Sequence, residues 1–400
     1  MSKLSVAIIG GGIGGLAAGL HLLKAGHDVQ IYEQSPQILE VGAGLVVSPN
    51  ASKLLIRLGL GDELARIGVR PLAFHQRRWQ DGRTLARSRL RDETEALWGA
   101  PAYVFHRGEL NAVLTQAMPN ERVHLSYRCS GFTDRGDHVE ARFENGAMIK
   151  ADVLIGADGI HSTIRRQLLG EERPRFTGCI AYRGLIPMER VAHLNIEVAS
   201  TNWMGPGRHF VHYPVASGRL LNFVGLIEQD AWEVESWTEP GDLAVLAAAY
   251  QGWHPQIPGI IAAADHTFKW ALLDRMPLPR WSFGRVTLLG DACHPMLPFF
   301  GQGAAQASED GATLTACLDE HGADAVAALK LYETIRLPRT ARVQEISRNN
   351  KDRFHLPDGP AQEARDAKMA TGTTDWSPQS IAWLYCHNAA ELPEMAATAR

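Results

Sequence analysis

The first thirty-three residues constrain the fold of this chain more than any other stretch. A short apolar segment, residues 4–9, leads into a G-x-G-x-x-G pattern formed by Gly10, Gly12 and Gly15. Leucines then recur at helical spacing, and a second apolar segment ends in the acidic residue Glu33. A strand, a glycine-rich turn, a helix and a second strand that ends in an acid together predict a βαβ unit that binds a dinucleotide.

Each residue of this pattern has an expected role. Gly10 permits the tight turn, Gly12 lets the backbone approach a pyrophosphate, and Gly15 lets the helix pack close to the strand. The helix that begins near Ile13 then points its N-terminus at the phosphates, so Ile13 is counted among the cofactor-binding residues. The carboxylate of Glu33 is placed to accept a hydrogen bond from an adenosine ribose hydroxyl.

The sequence of this segment disfavours two other interpretations. Residues 4–23 are nearly uncharged, and their length matches the ~20 residues that a bilayer requires. The glycines within them, however, disfavour a membrane-spanning helix. A secretory signal is also disfavoured, because Lys3 is the only basic residue ahead of the apolar run. The alternative is a turn in which the glycines serve only the fold, and the complete strand, helix and terminal acid favour a bound dinucleotide over it.

Composition favours small-molecule chemistry by a two-domain protein. The chain has 400 residues, 45% of them hydrophobic, and a formal net charge of −4, which gives no general attraction for nucleic acid or anionic membranes. The five cysteines are scattered and form no C-x-x-C pair. They are therefore interpreted as reduced thiols of a cytoplasmic protein, with neither a disulfide framework nor a metal site.

Further along the chain, two acidic residues follow buried apolar segments. Asp158-Gly159 follows residues 153–156, with Ser162 as the expected helix cap, and Gly290-Asp291 follows residues 286–289. Because ligands of open α/β sheets bind beyond the carboxyl ends of the strands, both aspartates are in site positions. Between these motifs, residues 176–279 alternate like antiparallel strands, which predicts a second domain inserted into the first. After them, a helix is predicted from Ala323 to Arg348.

These three motifs, in this order, resemble those of the class A flavoprotein monooxygenases, which hydroxylate aromatic rings. The resemblance spans residues 4–345, and the Tyr182-Arg183-Gly184 and Gly290-Asp291 segments are most similar to salicylate hydroxylase and its relatives. It implies an α/β fold with a glutathione reductase-type, Rossmann-like FAD-binding domain, an inserted substrate domain on a mainly antiparallel sheet, and C-terminal helices. The FAD-binding domain would comprise 1–72, 101–175 and 281–345, the substrate domain 73–100 and 176–280, and the C-terminal helices and loose tail 346–400.

The resemblance also implies a non-covalent FAD. Arg107 would lie near the cofactor, Asp291 on its ribityl chain, and Asp158 would contribute to FAD and pyridine-nucleotide binding through its loop. The remaining cofactor-binding residues would come from two glycine-rich loops and the start of a helix: Gly44, Pro298, Gly301, Gly303 and Ala304. That helix start can stabilise negative charge on a reduced flavin. With a single dinucleotide fingerprint, NADH or NADPH would bind transiently.

For the chemistry, the resemblance points to His209 and Tyr213. Residues 209, 211 and 213 of a strand share one face, so both side chains can line one pocket that excludes His212. By analogy with the family, His209 would be the base for a substrate phenol and Tyr213 its partner or substrate clamp; ordinary residues of a half-buried sheet are the alternative. Arg183 could pair with a substrate carboxylate or anchor the domain junction. His294 is expected to fix its loop.

The implied reaction is NAD(P)H- and O2-dependent hydroxylation of a hydroxylated aromatic acid by a flavin hydroperoxide, in a monomer or homodimer. Val46, Pro298 and Phe299 replace polar residues of some relatives, which favours a salicylate-like substrate converted to a catechol over 3-hydroxybenzoate or 6-hydroxynicotinate. An apolar wall at 296–300 would suit a flat ring. A flavin oxidase, an NAD-dependent dehydrogenase and a flavin-binding regulator are the alternatives from other classes.

Overall fold

The structure is a computed structural model that describes residues 3–38, 43–91, 93–230, 239–372 and 376–393. The start of the first glycine-rich loop, Glu40 to Gly42, and the alanine-rich end, 394–400, lie outside these ranges. Within them, no helix is both long enough and apolar enough to cross a membrane.

The described residues form a mixed α/β fold. The strands are β1 Ser5–Ile9, β2 Asp28–Tyr32, β3 Gly44–Val47, β4 Ala73–Arg78, β5 Thr84–Arg89, β6 Tyr103–His106, β7 Val123–His124, β8 Cys129–Asp134, β9 Val139–Phe143, β10 Met148–Ala151, β11 Val153–Gly156, β12 Arg175–Pro187, β13 Ser200–Gly205, β14 Arg208–Val215, β15 Leu220–Glu228, β16 Pro240–Gly241, β17 Thr267–Asp274 and β18 Val286–Leu288. The helices are α1 Ile13–Lys24, α2 Pro49–Arg57, α3 Gly61–Ile67, α4 Thr94–Trp98, α5 Arg107–Ala117, α6 Thr163–Leu169, α7 Leu243–Ala249, α8 Gln256–Ala262, α9 Gly303–His321, α10 Ala325–Phe354, α11 Pro360–Ala370 and α12 Pro378–Tyr385.

A five-stranded parallel sheet forms the nucleotide-binding half. Its order is β18-β11-β1-β2-β7, and β1 lies between β11 and β2. Apart from Ser5, strands β1 and β11 contain only apolar residues and glycine, because both faces of the sheet are covered. This arrangement places the glycine turn after β1, the Asp158 loop after β11 and the Asp291 loop after β18 at the same edge of the sheet.

An eight-stranded sheet forms the inserted half. Its order is β16-β17-β12-β15-β14-β13-β4-β5, and its pairs are antiparallel except for β13 with β4. The β4–β5 hairpin, which the Asp81-Gly82 turn predicts, adds residues 73–89 to the strands of 175–274. One face packs on α7 and α8 through a core that includes Trp203, Phe210 and Tyr250. The opposite face of the sheet borders a cavity.

These halves give the predicted fold class, an α/β nucleotide-binding domain with an inserted, mainly antiparallel sheet and C-terminal helices. The predicted divisions near residues 72, 175 and 280 fall close to the points where the chain passes between sheets. The division at 345 lies inside α10, which continues to Phe354 rather than ending at Arg348 as the sequence indicated. This longer helix carries its C-terminal end to the inserted sheet.

Candidate active site

A cavity of about 420 Å³ lies between the glycine turn, the Asp291 loop and the free face of the eight-stranded sheet. Most of the site residues that the sequence indicates line it: Gly12, Ile13, Gly44, Arg107, His209, Tyr213, Asp291, Pro298, Gly301, Gly303 and Ala304. Segments nearly three hundred residues apart in the chain therefore converge on one chamber, with the glycine-rich loops at one side and His209 and Tyr213 at the other.

Four predicted cofactor residues do not line this cavity. Gly10 has a φ of +113° and Gly15 packs against the Gly10 carbonyl, so both shape the turn from within. Glu33 accepts a hydrogen bond from the Gly11 amide at 2.7 Å, which ties its carboxylate to the glycine turn. The fourth, Asp158, has its carboxylate directed into its own loop.

Asp158 serves as a helix cap. Its carboxylate accepts hydrogen bonds from the Ser162 hydroxyl and from the Thr163 amide, the latter at 2.7 Å, at the start of α6. Ser162 in turn accepts from the Arg165 amide, which confirms it as the expected cap. The residues on either side, Ala157 and Gly159, do line the cavity. Any contribution of this motif to ligand binding therefore comes from the loop backbone.

The residues around the glycine turn fit an FAD. A Cβ built on Gly12 meets no atom within 4 Å, so the backbone is open on the side that faces the cavity. The N-terminus of the 19-residue helix α9 borders the same space. A helix N-terminus beside an uncovered backbone is the arrangement that binds phosphates or the electron-rich edge of a flavin. Asp291 and Arg107 are both exposed along this wall.

A buried ionic cluster fixes the Asp291 loop. Asp310 on α9 accepts hydrogen bonds from the Gly290 amide at 2.9 Å and from His294 at 2.6 Å, and it pairs with Arg336 of α10. Burial alone would raise the pKa of Asp310, but His294 and Arg336 outweigh it and lower that pKa to about 2. His294 therefore holds its own loop, the role that the sequence favoured, because its Nε2 atom is engaged by a carboxylate.

His209 and Tyr213 lie on the cavity side of β14. Between them Val211 also lines the cavity, whereas His212 points to the opposite face and accepts a hydrogen bond from the Trp203 indole at 3.0 Å. This is the alternation that the strand pattern predicts. The imidazole of His209 meets the edges of Phe299 and of Phe354, which closes an aromatic enclosure around it.

Burial sets the protonation of both side chains. It lowers the pKa of His209 well below its ordinary value, with a further contribution from the neighbouring His355, so the imidazole is neutral and able to accept a proton. Burial raises the pKa of Tyr213 to about 12 despite the opposing charge of Arg183, so its phenol remains a hydrogen-bond donor. Tyr250, by contrast, donates to the His209 carbonyl at 2.8 Å and is structural.

The rest of the chamber combines an apolar wall with isolated polar groups. Met296, Leu297, Phe299 and Phe300 line it, as the sequence predicts for a site that holds a flat ring. On the sheet side, Asn202 contributes an amide to the cavity wall, and its Oδ1 atom is buried without a hydrogen-bond partner among the described residues.

Arg183 lies where this cavity meets a second one. It lines both, beside Asp291, Met296, Leu297 and Pro298. Its guanidinium stacks 4.0 Å from the centre of the Trp270 ring, and its Nε atom has no hydrogen-bond partner in the described chain. Burial lowers the pKa of Arg183 to about 10, which still leaves it charged at neutral pH. A stacked cation with an unused donor can bind a carboxylate.

Sequence reasoning missed three residues of the site. Phe354 lines the cavity, His355 hydrogen-bonds to His209, and Glu228 hydrogen-bonds to His355. No sequence motif marks these residues. Glu228 is the last residue of a strand, and His355 follows helix α10, which extends beyond its predicted C-terminal end. Only the packing of the end of α10 against the inserted sheet brings these residues to His209.

A flavin-binding half, a loop bearing Asp291 and a cavity lined by apolar and aromatic side chains are the features of an FAD-dependent aromatic monooxygenase of class A. The chain belongs to this family, because the sequence model of the family described as "FAD binding domain" matches residues 3–347. The chain is also similar to individual monooxygenases over most of its length.

Two relatives illustrate the range of similar sequences. The chain is 40% identical to 3-amino-4-hydroxybenzoate 2-monooxygenase of Streptomyces cremeus, over 98% of this chain and 97% of that protein. It is 39% identical to 6-hydroxynicotinate 3-monooxygenase of Bordetella bronchiseptica, over 87% of this chain and 91% of that protein.

Solved structures agree with this assignment. Klebsiella pneumoniae HpxO in complex with FAD and uric acid superimposes with a TM-score of 0.85 at 28% identity, covering 96% of each chain. A salicylate hydroxylase substrate complex superimposes with a TM-score of 0.83 at 26% identity, covering 99% of this chain and 100% of the other. The chain is thus an FAD-dependent monooxygenase.

Proposed function

We propose that this enzyme hydroxylates a hydroxylated benzoic acid, using NADH or NADPH and O2. The observation that carries the proposal is the convergence of His209, Tyr213 and the apolar 296–300 segment on one cavity beside the flavin-binding turn. The bound FAD would supply electron transfer from the nicotinamide and oxygen transfer to the ring. The protein's own residues must bind the ring, activate it and exclude water.

In this proposal His209 is the catalytic base. Its neutral imidazole accepts the proton of the ring hydroxyl, which makes the ring more electron-rich and more reactive towards an electrophilic oxygen. The Tyr213 phenol donates a hydrogen bond to the same substrate oxygen or to a neighbouring substituent and fixes the ring. Phe299 and Phe354, which surround His209, keep water from the reacting atoms.

Arg183 is proposed to bind the substrate carboxylate. Its unused Nε donor and its stack on Trp270 leave a charged, oriented group at the cavity wall. Arg183→Met should therefore raise KM for the acid, with no matching penalty for an analogue that lacks the carboxylate. A rise of equal size for both compounds would instead assign Arg183 to the flavin or to the domain junction.

An amino-hydroxybenzoate is the first candidate substrate. The relative that acts on 3-amino-4-hydroxybenzoate aligns over almost all of both chains, and Asn202 offers a polar group at the cavity wall for a ring substituent. A salicylate-like acid is the second candidate, since Val46 and Phe299 make this part of the cavity apolar.

A substrate panel tests the proposal. FAD-loaded enzyme would be given 3-amino-4-hydroxybenzoate, salicylate, 3-hydroxybenzoate or 6-hydroxynicotinate, with unsubstituted benzoate as the control. We expect one hydroxylated acid to stimulate NADH or NADPH oxidation and to yield a product that carries one oxygen atom from ¹⁸O₂. Oxidation without oxygen incorporation for every acid would contradict the proposal and favour an oxidase.

A further inference from the structure

The buried base His209 is connected to the protein surface by two further side chains. Its Nδ1 atom lies 2.6 Å from Nε2 of His355, and Nδ1 of His355 lies 2.8 Å from Oε1 of Glu228. His209 and His355 are buried, whereas the Glu228 side chain is 43% exposed. The three groups therefore form one continuous hydrogen-bonded line from the cavity to the solvent.

The chemistry of the two contacts fixes where the hydrogens are. A carboxylate only accepts hydrogen bonds, so Nδ1 of His355 carries a hydrogen and donates it to Glu228. A neutral His355 then has a lone pair on Nε2, which accepts the hydrogen carried by Nδ1 of His209. This leaves Nε2 of His209 without a hydrogen and able to accept a proton from a substrate in the cavity. Burial lowers the pKa of His355, which favours its neutral form.

We propose that His355 and Glu228 form a proton relay that carries the proton of the substrate's ring hydroxyl from His209 to the solvent. The proposal rests on the proposed function of His209 as the base. The substrate O–H bond breaks as a proton joins Nε2 of His209, while the Nδ1 proton of His209 passes to Nε2 of His355. The Nδ1 proton of His355 passes to Glu228, whose carboxylic acid releases it to water. When a proton later passes in the reverse direction, from Glu228 through His355 and His209 to the product oxygen, the original histidine tautomers are restored.

The relay explains how a base can work at a buried position flanked by two aromatic rings. If His209 simply kept the proton, a cation would be left in surroundings whose burial strongly disfavours charge. Passing the proton through a neutral imidazole to a surface carboxylate leaves no buried cation behind. His355 and Glu228 are thus positioning residues, since they act on the substrate only through His209.

The remaining neighbours of the relay are compatible with this role. Lys351 lies 4.0 Å from Oε1 of Glu228, and Asp352 is exposed nearby. The hydrogen bond from His355 is the main cause that lowers the pKa of Glu228, so the carboxylate is charged at neutral pH. Burial raises the pKa of the Cys179 thiol to about 12, which keeps it neutral beside this pair.

The direct test measures substrate ionisation. Rapid mixing of FAD-loaded enzyme with its hydroxylated substrate would follow the ultraviolet absorbance of the phenolate. We expect His355→Leu to slow phenolate formation by about 100-fold and Glu228→Gln by about tenfold, with substrate affinity within about threefold of wild type. His355→Gln keeps an acceptor for His209 but cannot pass a proton on, so it should be as slow as His355→Leu. Asp352→Asn, which removes a nearby surface charge outside the relay, should form phenolate at the wild-type rate.

The pH profile separates a relay from a structural contact. Glu228 raises the pKa of His355, so Glu228→Gln should move the acid limb of phenolate formation to lower pH as well as slowing its plateau. A residue that only supports the fold would change neither. Wild-type rates and an unmoved acid limb in both His355→Gln and Glu228→Gln would overturn the relay.

A second measurement does not depend on turnover. Nuclear magnetic resonance of ¹⁵N-histidine-labelled enzyme should show His209 and His355 as neutral tautomers with the hydrogen on Nδ1, assigned by comparison with His355→Gln. Hydrogen on Nε2 of His209 would contradict the relay even in an active enzyme. If no hydroxylated acid is turned over but these tautomers are present, the result contradicts the proposed function but supports the hydrogen-bonded arrangement of His209, His355 and Glu228.

Discussion

Replacing Asp310 by asparagine should weaken both the fold and the cofactor site. The carboxylate is completely buried and is shared by the Gly290 amide, His294 and Arg336. An asparagine of the same shape removes the charge and turns one of its two accepting atoms into a donor. That donor must face an N–H group, and Arg336 loses one of its two carboxylate partners.

The structure gives the size of the effect. Folding lowers the pKa of this carboxyl from 3.8 to about 2, which corresponds to roughly 2 kcal/mol of stability. Removing one partner of a buried ion pair costs about 3 to 5 kcal/mol, because the other charge stays buried. We therefore expect Asp310→Asn to lower the free energy of unfolding by about 3 kcal/mol.

Urea unfolding followed by tryptophan fluorescence measures this loss, and fluorescence titration of the apoprotein with FAD measures cofactor affinity. Because the Asp310 pKa is lowered on folding, its contribution is complete above about pH 4 and disappears as the pH falls towards 2. The control is Glu63→Gln in the exposed Arg66–Glu63 pair, which should change stability by less than about 0.5 kcal/mol. An Asp310→Asn variant as stable as this control, with wild-type FAD affinity, would refute the reasoning.

Three further substitutions probe the cavity. His209→Ala should leave FAD bound and reducible but uncouple NAD(P)H oxidation from product, measured as product formed per nucleotide consumed; wild-type coupling would remove His209 from the mechanism. Tyr213→Phe should lower kcat/KM by about tenfold through one lost hydrogen bond, and unchanged kinetics would exclude a contact with substrate. A Cβ on Gly44 would lie 2.5 Å from a Tyr213 ring carbon. Gly44→Ala should therefore displace that ring and raise KM, whereas an unchanged KM would mean that substrate binding does not depend on the position of the Tyr213 ring.

Much of the site could be predicted because it depends on local sequence patterns. The turn after β1 needs Gly10 in a left-handed conformation, and the strand period alone places His209 and Tyr213 on one face. The Asp158 motif is expected to act through its loop, and the structure adds what its side chain does. Three hydrogen-bond donors at the start of α6 engage its carboxylate.

The individual substrate is not decided by these patterns. Val46, Pro298 and Phe299 favour a salicylate-like acid, whereas the relatives act on other hydroxylated aromatic acids, including 3-amino-4-hydroxybenzoate and 6-hydroxynicotinate. The proposed function assigns the recognition of ring substituents to isolated polar groups such as Asn202 and Arg183. Their spacing around a ring depends on how two sheets and a loop pack.

The sequence by itself determined the βαβ unit, the inserted antiparallel sheet and the loops that meet at the flavin-binding edge, because each follows from hydrophobic period and turn chemistry over a few neighbouring residues. Only the tertiary structure decided what surrounds His209. Glu228 and His355 are 127 positions apart in the chain, and they meet because α10 continues past its predicted end and docks on the sheet. Contacts between distant side chains are set by the packing of whole elements, which no local pattern encodes.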